Sequence, residues 1–298
     1  GFLWERVHAD DPIYVPSFDA FKAGMRELGY TEGRHYVIEQ RSAQNDYARL
    51  PALAAELLAL KVDVIIPSST SAAVAAHNTT REIPILIATI SDPVGTGLAA
   101  SLRRPGGNVT GLTNMSVELY TKRLDLLRQI LPGMRRVGLL YLLDYGNDLQ
   151  GRNQVEADCA KLGFKAIRAP VRRAEDIAEA FNLLKRDKAQ GLIVSGANAI
   201  FAWRDSIIEQ AEKHRLPAIF NDAIFADSGG LISYSANRLD LYRRTAAYAD
   251  KIFKGAKPGD LPIEQPMRFE MVLNMKTAKA LGLKISNSVL VQATRVIE

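Results

Sequence analysis

The feature that most limits what this chain can fold into is a repeated unit: a short apolar run, a polar tip, then a segment with apolar residues at helical spacing. Val62 to Pro67 runs into Ser68-Ser69-Thr70-Ser71 and the Ala-rich stretch Ala72 to Thr80, and Ile85 to Ile90 then runs into Ser91-Asp92. Short apolar runs bounded by turn residues read as buried strands, and apolar spacing near 3.6 residues reads as helix. Strands that alternate with helices pair in parallel, with helices on both faces of the sheet. Pro132-Gly133 interrupts the pattern, which restarts with apolar runs at 137–142, 165–169, 191–195 and 218–221 and helices at 150–162, 177–185 and 203–214 between them. With 298 residues there is chain enough for two such domains. The expected fold class is therefore α/β, with two doubly wound parallel-sheet lobes. Segments added after the second lobe let the chain cross between the lobes more than once, which suggests a hinge and a ligand cleft.

Local signals fill in the elements. Ser17 is placed to cap a helix carrying Phe18, Phe21, Met25 and Leu28, a strand is expected over 36–42, and a helix over 46–60. Asp92-Pro93 has the form of a helix start, and the helix it begins would close at Pro105-Gly106-Gly107 before a strand over 109–112. A helix over 117–131 follows. The tail reads as a strand over 230–234, a helix over 238–253, a strand over 267–274, and helices over 277–281 and 288–296.

Several function classes fall away. The net charge of +5 is spread through short pairs such as Arg103-Arg104 and Arg243-Arg244, without the concentrated basic face and aromatic platforms of a nucleic-acid binder. No run reaches the roughly 18 apolar residues that a membrane-spanning helix needs. The single Cys159 excludes an intrachain disulfide, and His8, His35, His77 and His214 show no metal-ligand spacing. No GxSxG elbow, Walker loop or GxGxxG turn appears, so no cofactor is expected and no catalytic residue is named. The N-terminal Gly1-Phe2-Leu3-Trp4 looks like the tail of a strand without an initiating Met, as a removed export signal or a trimmed boundary would leave it.

Ligands of open parallel sheets sit outside the carboxyl ends of the strands. In the first lobe those tips are Trp4-Glu5, Ser68 to Ser71 and Thr89 to Asp92. Hydroxyls beside the free N–H groups of a helix start make a carboxylate or phosphate site, although one hydroxyl of the four at 68–71 is accounted for by capping alone. At Asp92 capping is the better reading, with Thr89 or Ser91 nearer the ligand. In the second lobe the tips are Asp144 to Asn147, Ser195 to Asn198 and Asn221-Asp222. Asp222 is the natural partner for an ammonium group there. Asn147, Asn198 and Asn221 either hold the ligand or simply turn the chain. Trp4, Tyr145, Phe201 and Phe225 either meet an apolar ligand body or pack within their lobes.

The run Asp92-Pro93-Val94 with Gly97-Leu98, and then Ser101-Leu102-Arg103-Arg104-Pro105-Gly106-Gly107-Asn108-Val109-Thr110-Gly111, resembles the signature of ABC-transporter substrate-binding proteins related to the tryptophan-binding protein TrpX. Glu27-Leu28-Gly29-Tyr30, Leu50-Pro51-Ala52-Leu53-Ala54, Lys122-Arg123-Leu124, Gly229 to Tyr234 and Lys276 to Leu283 extend the likeness over nearly the whole chain. The resemblance implies a type I periplasmic-binding fold with three crossovers, lobe 1 being 1–114 with 235–263 and lobe 2 being 115–234 with 264–298. It also implies a monomer without catalytic activity, periplasmic or lipid-anchored outside the cytoplasm, that hands a small molecule to the transmembrane subunits of an ABC permease. The ligand expected is a carboxylate, most simply an aromatic or apolar amino acid. Ser69, Thr70 and Ser71 with Thr89 and Ser91 would hold the carboxylate, Asp222 with Asn198 and Asn221 the ammonium group, and Trp4 and Tyr145 the side chain. Trp4-Glu5-Arg6-Val7-His8 replaces the short Ser/Gly-rich segment usual in the family, so an amine-free aromatic carboxylate stands as an alternative ligand. A ligand-sensing domain and a two-lobed α/β enzyme are the alternatives of other classes.

Overall fold

The structure of the protein, a computed structural model, describes residues 1–6, 13–143 and 146–298. It divides into two compact units, each built from two stretches of chain: unit 1 is Gly1–Met115 with Asn237–Arg268, and unit 2 is Ser116–Ala236 with Phe269–Glu298.

In chain order unit 1 begins β1 (Phe2–Trp4), α1 (Tyr14–Glu27), β2 (Gln40–Ser42), α2 (Leu50–Ala59), β3 (Ile66–Pro67), α3 (Thr70–Thr79), β4 (Ile85–Ile90) and β5 (Val109–Thr113). Unit 2 follows with α4 (Leu119–Ile130), β6 (Arg136–Leu142), α5 (Gly146–Leu162), β7 (Lys165–Val171), α6 (Asp176–Arg186), β8 (Gly191–Val194), α7 (Asn198–Ala202), α8 (Arg204–Lys213), β9 (Ala218–Phe220), α9 (Ala223–Asp227) and β10 (Ile232–Ala236). The chain returns to unit 1 for α10 (Arg238–Phe253), then completes unit 2 with β11 (Phe269–Asn274), α11 (Met275–Ala280), α12 (Asn287–Leu290) and β12 (Arg295–Ile297).

The unit 1 strands run parallel in the order β2-β1-β3-β4-β5, with a bridge from Ile65 to Ile85 joining β3 to β4 and one from Leu112 to Glu264 adding the returning chain beyond β5. Unit 2 repeats this order as β7-β6-β8-β9-β10 and extends it with β11 and β12. The inner strands are buried on both faces, as helix-covered parallel strands require: the five residues of β5 and the four of β8 are all buried, whereas the edge strands β2, β7 and β12 keep exposed residues. In unit 1, α10 packs along α1, and Gly24 permits the approach, because a Cβ there would lie 2.2 Å from the Arg243 carbonyl oxygen.

The PGGNVTG run is explained by packing. Asn108 is buried, donates from Nδ2 to the carbonyls of Thr80 (3.0 Å) and Ile83 (2.8 Å), and meets His77 Nδ1 at 2.9 Å through Oδ1, so one side chain ties the end of α3 to the entry of β4. Gly111 sits at φ +126° with its Cα so close to β4 that a Cβ would lie 2.1 Å from the Ile87 oxygen. Thr110 Oγ1 donates to Leu261 O at 2.7 Å, which fastens β5 to the returning chain.

The structure corrects several local expectations. No helix follows Asp92-Pro93: residues 93–97 form turns, because Asp92 Oδ1 accepts from Gly95 N at 2.7 Å and Gly97 at φ +75° turns the chain away. Ser17 lies inside α1 and does not cap it, its hydroxyl donating to Ile13 O at 2.6 Å. The strand expected over 36–42 is confined to Gln40–Ser42, and α2 begins at Leu50 with Pro51 in its first turn. The sheet of unit 2 is not wholly parallel, since β10 and β11 pair antiparallel. The last expected helix stops at Leu290, and 295–297 instead form β12 beside β11.

Candidate functional site

A sheet of order 2-1-3-4-5 reverses its winding beside its first strand, and the crevice at the carboxyl ends there is where such folds bind ligands. In unit 1 that point lies between β1 and β3, in unit 2 between β6 and β8.

The unit 1 edge is built from the residues that follow β1, β3 and β4. Glu5, 1% exposed, continues directly from β1, and its backbone N–H donates to Ser68 Oγ at 3.1 Å. Ser69 caps α3, its Oγ accepting from Ala72 N at 3.1 Å while the same hydroxyl donates to Glu5 Oε1. Thr70 and Ser71, both half-buried, form the first turn of α3. Thr89 near the end of β4 hydrogen-bonds Tyr242 of α10; burial pushes the Tyr242 phenol up to about 12, Arg238 and the Thr89 bond pulling against it and the Glu5 charge adding to it. Ser91 follows β4, and its carbonyl accepts from Thr113 Oγ1 at 3.0 Å.

The edge thus brings together Ser69, Thr70, Ser71, Thr89 and Ser91 of the expected carboxylate site, but Ser69 is already committed at both ends of its hydroxyl. Its proton goes to Glu5, which the sequence marks as part of a strand tip on this edge but to which it assigns no ligand role.

Trp4 is also on this edge in sequence but not in space. Its ring is 1% exposed, stacks on Phe2 at 5.0 Å and 15°, and lies against Tyr14 and Phe18, while Nε1 donates to Gln40 Oε1 at 2.9 Å. The aromatic cluster of unit 1 claims the ring, and the packing reading of Trp4 wins over ligand contact.

The unit 2 edge gathers Ser195-Gly196 after β8 and Asn221-Asp222 after β9. Gly196 gives the space that Asn221 occupies, since a Cβ there would come within 2.7 Å of Asn221 Nδ2 and 3.3 Å of Ser116 Oγ. Asn221 Oδ1 is buried without a hydrogen-bond donor among the described residues. Asp222 is 7% exposed and caps α9, Oδ1 accepting from Ile224 N at 3.0 Å. Its charge acts on Arg123 of α4, which is 1% exposed and donates to Tyr234 O (2.9 Å) and Ser116 O (3.2 Å) over the Tyr120 ring. Burial pushes the Arg123 pKa down to about 10, against the pull of Tyr120, Tyr234 and Asp222. Arg123 was read in sequence only as part of a family signature; nothing in its helical spacing marks it as a buried charge. Tyr145 and the side chain of Asn198 lie outside the described residues. Phe201 and Phe225 pack on one another at 5.3 Å, inside unit 2.

Among the described residues no group of His, Cys, Asp and Glu is placed to hold a metal ion, and no helix is long and apolar enough to cross a membrane. Buried Cys159, its thiol pushed up to about 11 by burial, has none of the character of a nucleophile.

Two doubly wound units, each with a polar edge at its switch point, define a solute-binding protein of the type I periplasmic class. The chain belongs to the ABC transporter substrate binding protein family, whose profile matches residues 10–297. It is 27% identical over 274 residues to the tyrosine-binding protein of Clostridioides difficile (strain R20291), spanning 90% of this chain and 78% of that one. Among solved structures it is similar to an ABC domain in complex with L-Trp from Streptococcus pneumonia, at 26% identity and a TM-score of 0.91 over 100% of this chain and 98% of that one. A conserved domain protein from Vibrio cholerae reaches a TM-score of 0.92 at 25% identity, over 99% and 98% of the two chains.

Proposed function

We propose that this protein captures an aromatic amino acid outside the cytoplasm and delivers it to the transmembrane subunits of an ABC importer, without chemical change to the ligand. The observation that carries the reading is the likeness over nine-tenths of the chain or more to a tyrosine-binding protein and to a structure holding L-Trp. The polar edges support it. In unit 1 the first turn of α3, with Thr70 and Ser71, takes the ligand carboxylate, Ser69 shapes that turn as its cap, and Thr89 and Ser91 border it. In unit 2, taken by itself, the edge offers the buried Asn221 Oδ1 and Asp222 as hydrogen-bond acceptors for N–H or O–H donors. The amine-free carboxylate reading loses its main support once the Trp4 ring is given to the unit 1 core.

Calorimetric titration tests this on protein unfolded and refolded to strip bound ligand. L-Tyr or L-Trp should bind at micromolar concentration or tighter, and aliphatic amino acids and sugars more weakly. No heat from any aromatic amino acid would refute the assignment.

A further inference from the structure

We propose that the end of unit 2 opposite its ligand edge docks on a bilayer surface of anionic phospholipid headgroups, through cations that the fold collects at the amino ends of four neighbouring strands. Docking there turns the strand tips at Ser195 and Asn221 away from the membrane and is independent of which ligand they take.

Strands β7, β6, β8 and β9 are neighbours in that order and run parallel. Their entries hold Lys165, Arg135 with Arg136, Lys188, and Arg215, charges that are scattered along the sequence and gathered by the sheet. Lys165 N–H donates to Arg135 O at 2.8 Å and Arg136 Nε donates to Lys188 O at 2.8 Å, which ties three of the four entries directly together. With strands about 4.8 Å apart, the row spans about 15 Å. Lys165, Lys188 and Arg215 are exposed and form no ion pair among the described residues. Against this row stand Asp187, paired with Arg186 at 3.1 Å, and Glu212.

The last turns of α4, α5, α6 and α8, at the same end, are also basic. Those residues answer the helix dipoles, which accounts for them without a partner. The strand entries lie outside the helices, so that account does not reach them. Unit 1 does not share the pattern either, since Glu39, Asp63 and Glu82 stand before β2, β3 and β4. On the β6–β7 side the row borders a recess of about 370 Å³ lined by Arg128, Gln129, Pro132, Arg135, Leu162 and Phe164, with Leu162 47% exposed. Cations around apolar side chains match a phosphodiester headgroup and the glycerol ester beneath it. Nucleic acid would call for rings open to stacking, and Phe164 is half-buried with the Arg135 guanidinium over its face at 6.0 Å. Cations at an anionic bilayer each add to the attraction, so a row of five is enough to hold the protein at low salt.

The experiment is co-sedimentation of the protein with vesicles of phosphatidylglycerol and phosphatidylcholine in equal parts, against vesicles of phosphatidylcholine alone, over a series of salt concentrations. The wild type should partition onto the anionic vesicles alone, and raising the salt should release it. The triple variant Lys165→Gln, Lys188→Gln, Arg215→Gln should lose at least roughly 100-fold in partition coefficient. A control with the same change of charge on unit 1, Arg34→Gln, Lys61→Gln, Arg81→Gln, should stay within about threefold of the wild type, because its residues lie outside the row. Thermal unfolding establishes that both triple variants are folded. A wild type indifferent to phosphatidylglycerol overturns the proposal without any variant. An equal loss in the two triple variants overturns it too, since net charge and not the unit 2 end would then govern binding. Tighter binding to a DNA duplex than to the anionic vesicles at equal phosphate concentration assigns the row to nucleic acid and overturns the lipid reading. None of these outcomes touches the amino-acid assignment, which is read by titration in the absence of vesicles.

Discussion

Arg123 shows how much of this molecule depends on single buried polar groups. Its guanidinium is removed from water, and it is tolerated because carbonyl oxygens of Tyr234 and Ser116 take two of its donors and the Tyr120 ring lies under it. Arg123→Leu would strip the donors from the Tyr234 and Ser116 carbonyls in a site closed to water. We expect a loss of about 2–4 kcal/mol, read as a fall in the urea midpoint at unchanged slope. A surface pair such as Arg243 with Glu27 should give less than about 1 kcal/mol in the same assay, because both partners stay in water.

At the scale of elements, periodicity made most strands and helices of this chain legible, and turn chemistry explains the exceptions. The stretch after Asp92 has a helix start and enough apolar residues to suggest a helix, but Gly95 and Gly97 weaken any continuation, and the Asp92 carboxylate closes the turn on Gly95. The short β12 was read as helix because its partner strand, β11, is what makes it a strand, and pairing across the sheet is invisible to local spacing. The site divides the same way. The helix start at Ser69, Thr70 and Ser71 was legible because hydroxyls before a helix are a local signal, whereas the place of the Trp4 ring depends on Phe2, Tyr14 and Phe18 closing round it. The signature run PGGNVTG yields a sharp prediction. Gly111→Ala must insert a Cβ into the Ile87 backbone at a positive φ, so it should cost at least about 2 kcal/mol, whereas Gly107→Ala, with open space around it, should be nearly silent in the same denaturant titration.

For the molecule as a whole, the consequential fact is that neither unit is continuous in the chain. Unit 1 takes α10 from beyond residue 236, and that helix buries Leu241, Tyr242, Thr245, Ala246, Tyr248 and Ala249, packing against α1, β4 and β5. Burial of a large apolar side chain contributes about 1.5–3 kcal/mol, so the loss of α10 removes on the order of 10 kcal/mol, comparable to the whole stability of an ordinary domain. The returning strand segment adds the Glu264 N–H bond to Gly111 O at 2.9 Å and the Thr113 N–H bond to Glu264 O at 3.0 Å, which would be lost with it. Residues 1–115 alone should therefore fail to fold, showing no cooperative thermal transition and rapid proteolysis. Joining 237–268 to them through a flexible Gly/Ser linker should restore a single sharp transition and protection of β4 and β5. Cooperative folding of 1–115 without α10 would mean that the sheet of unit 1 is held by its own helices, and that the stabilisation ascribed to α10 is misplaced.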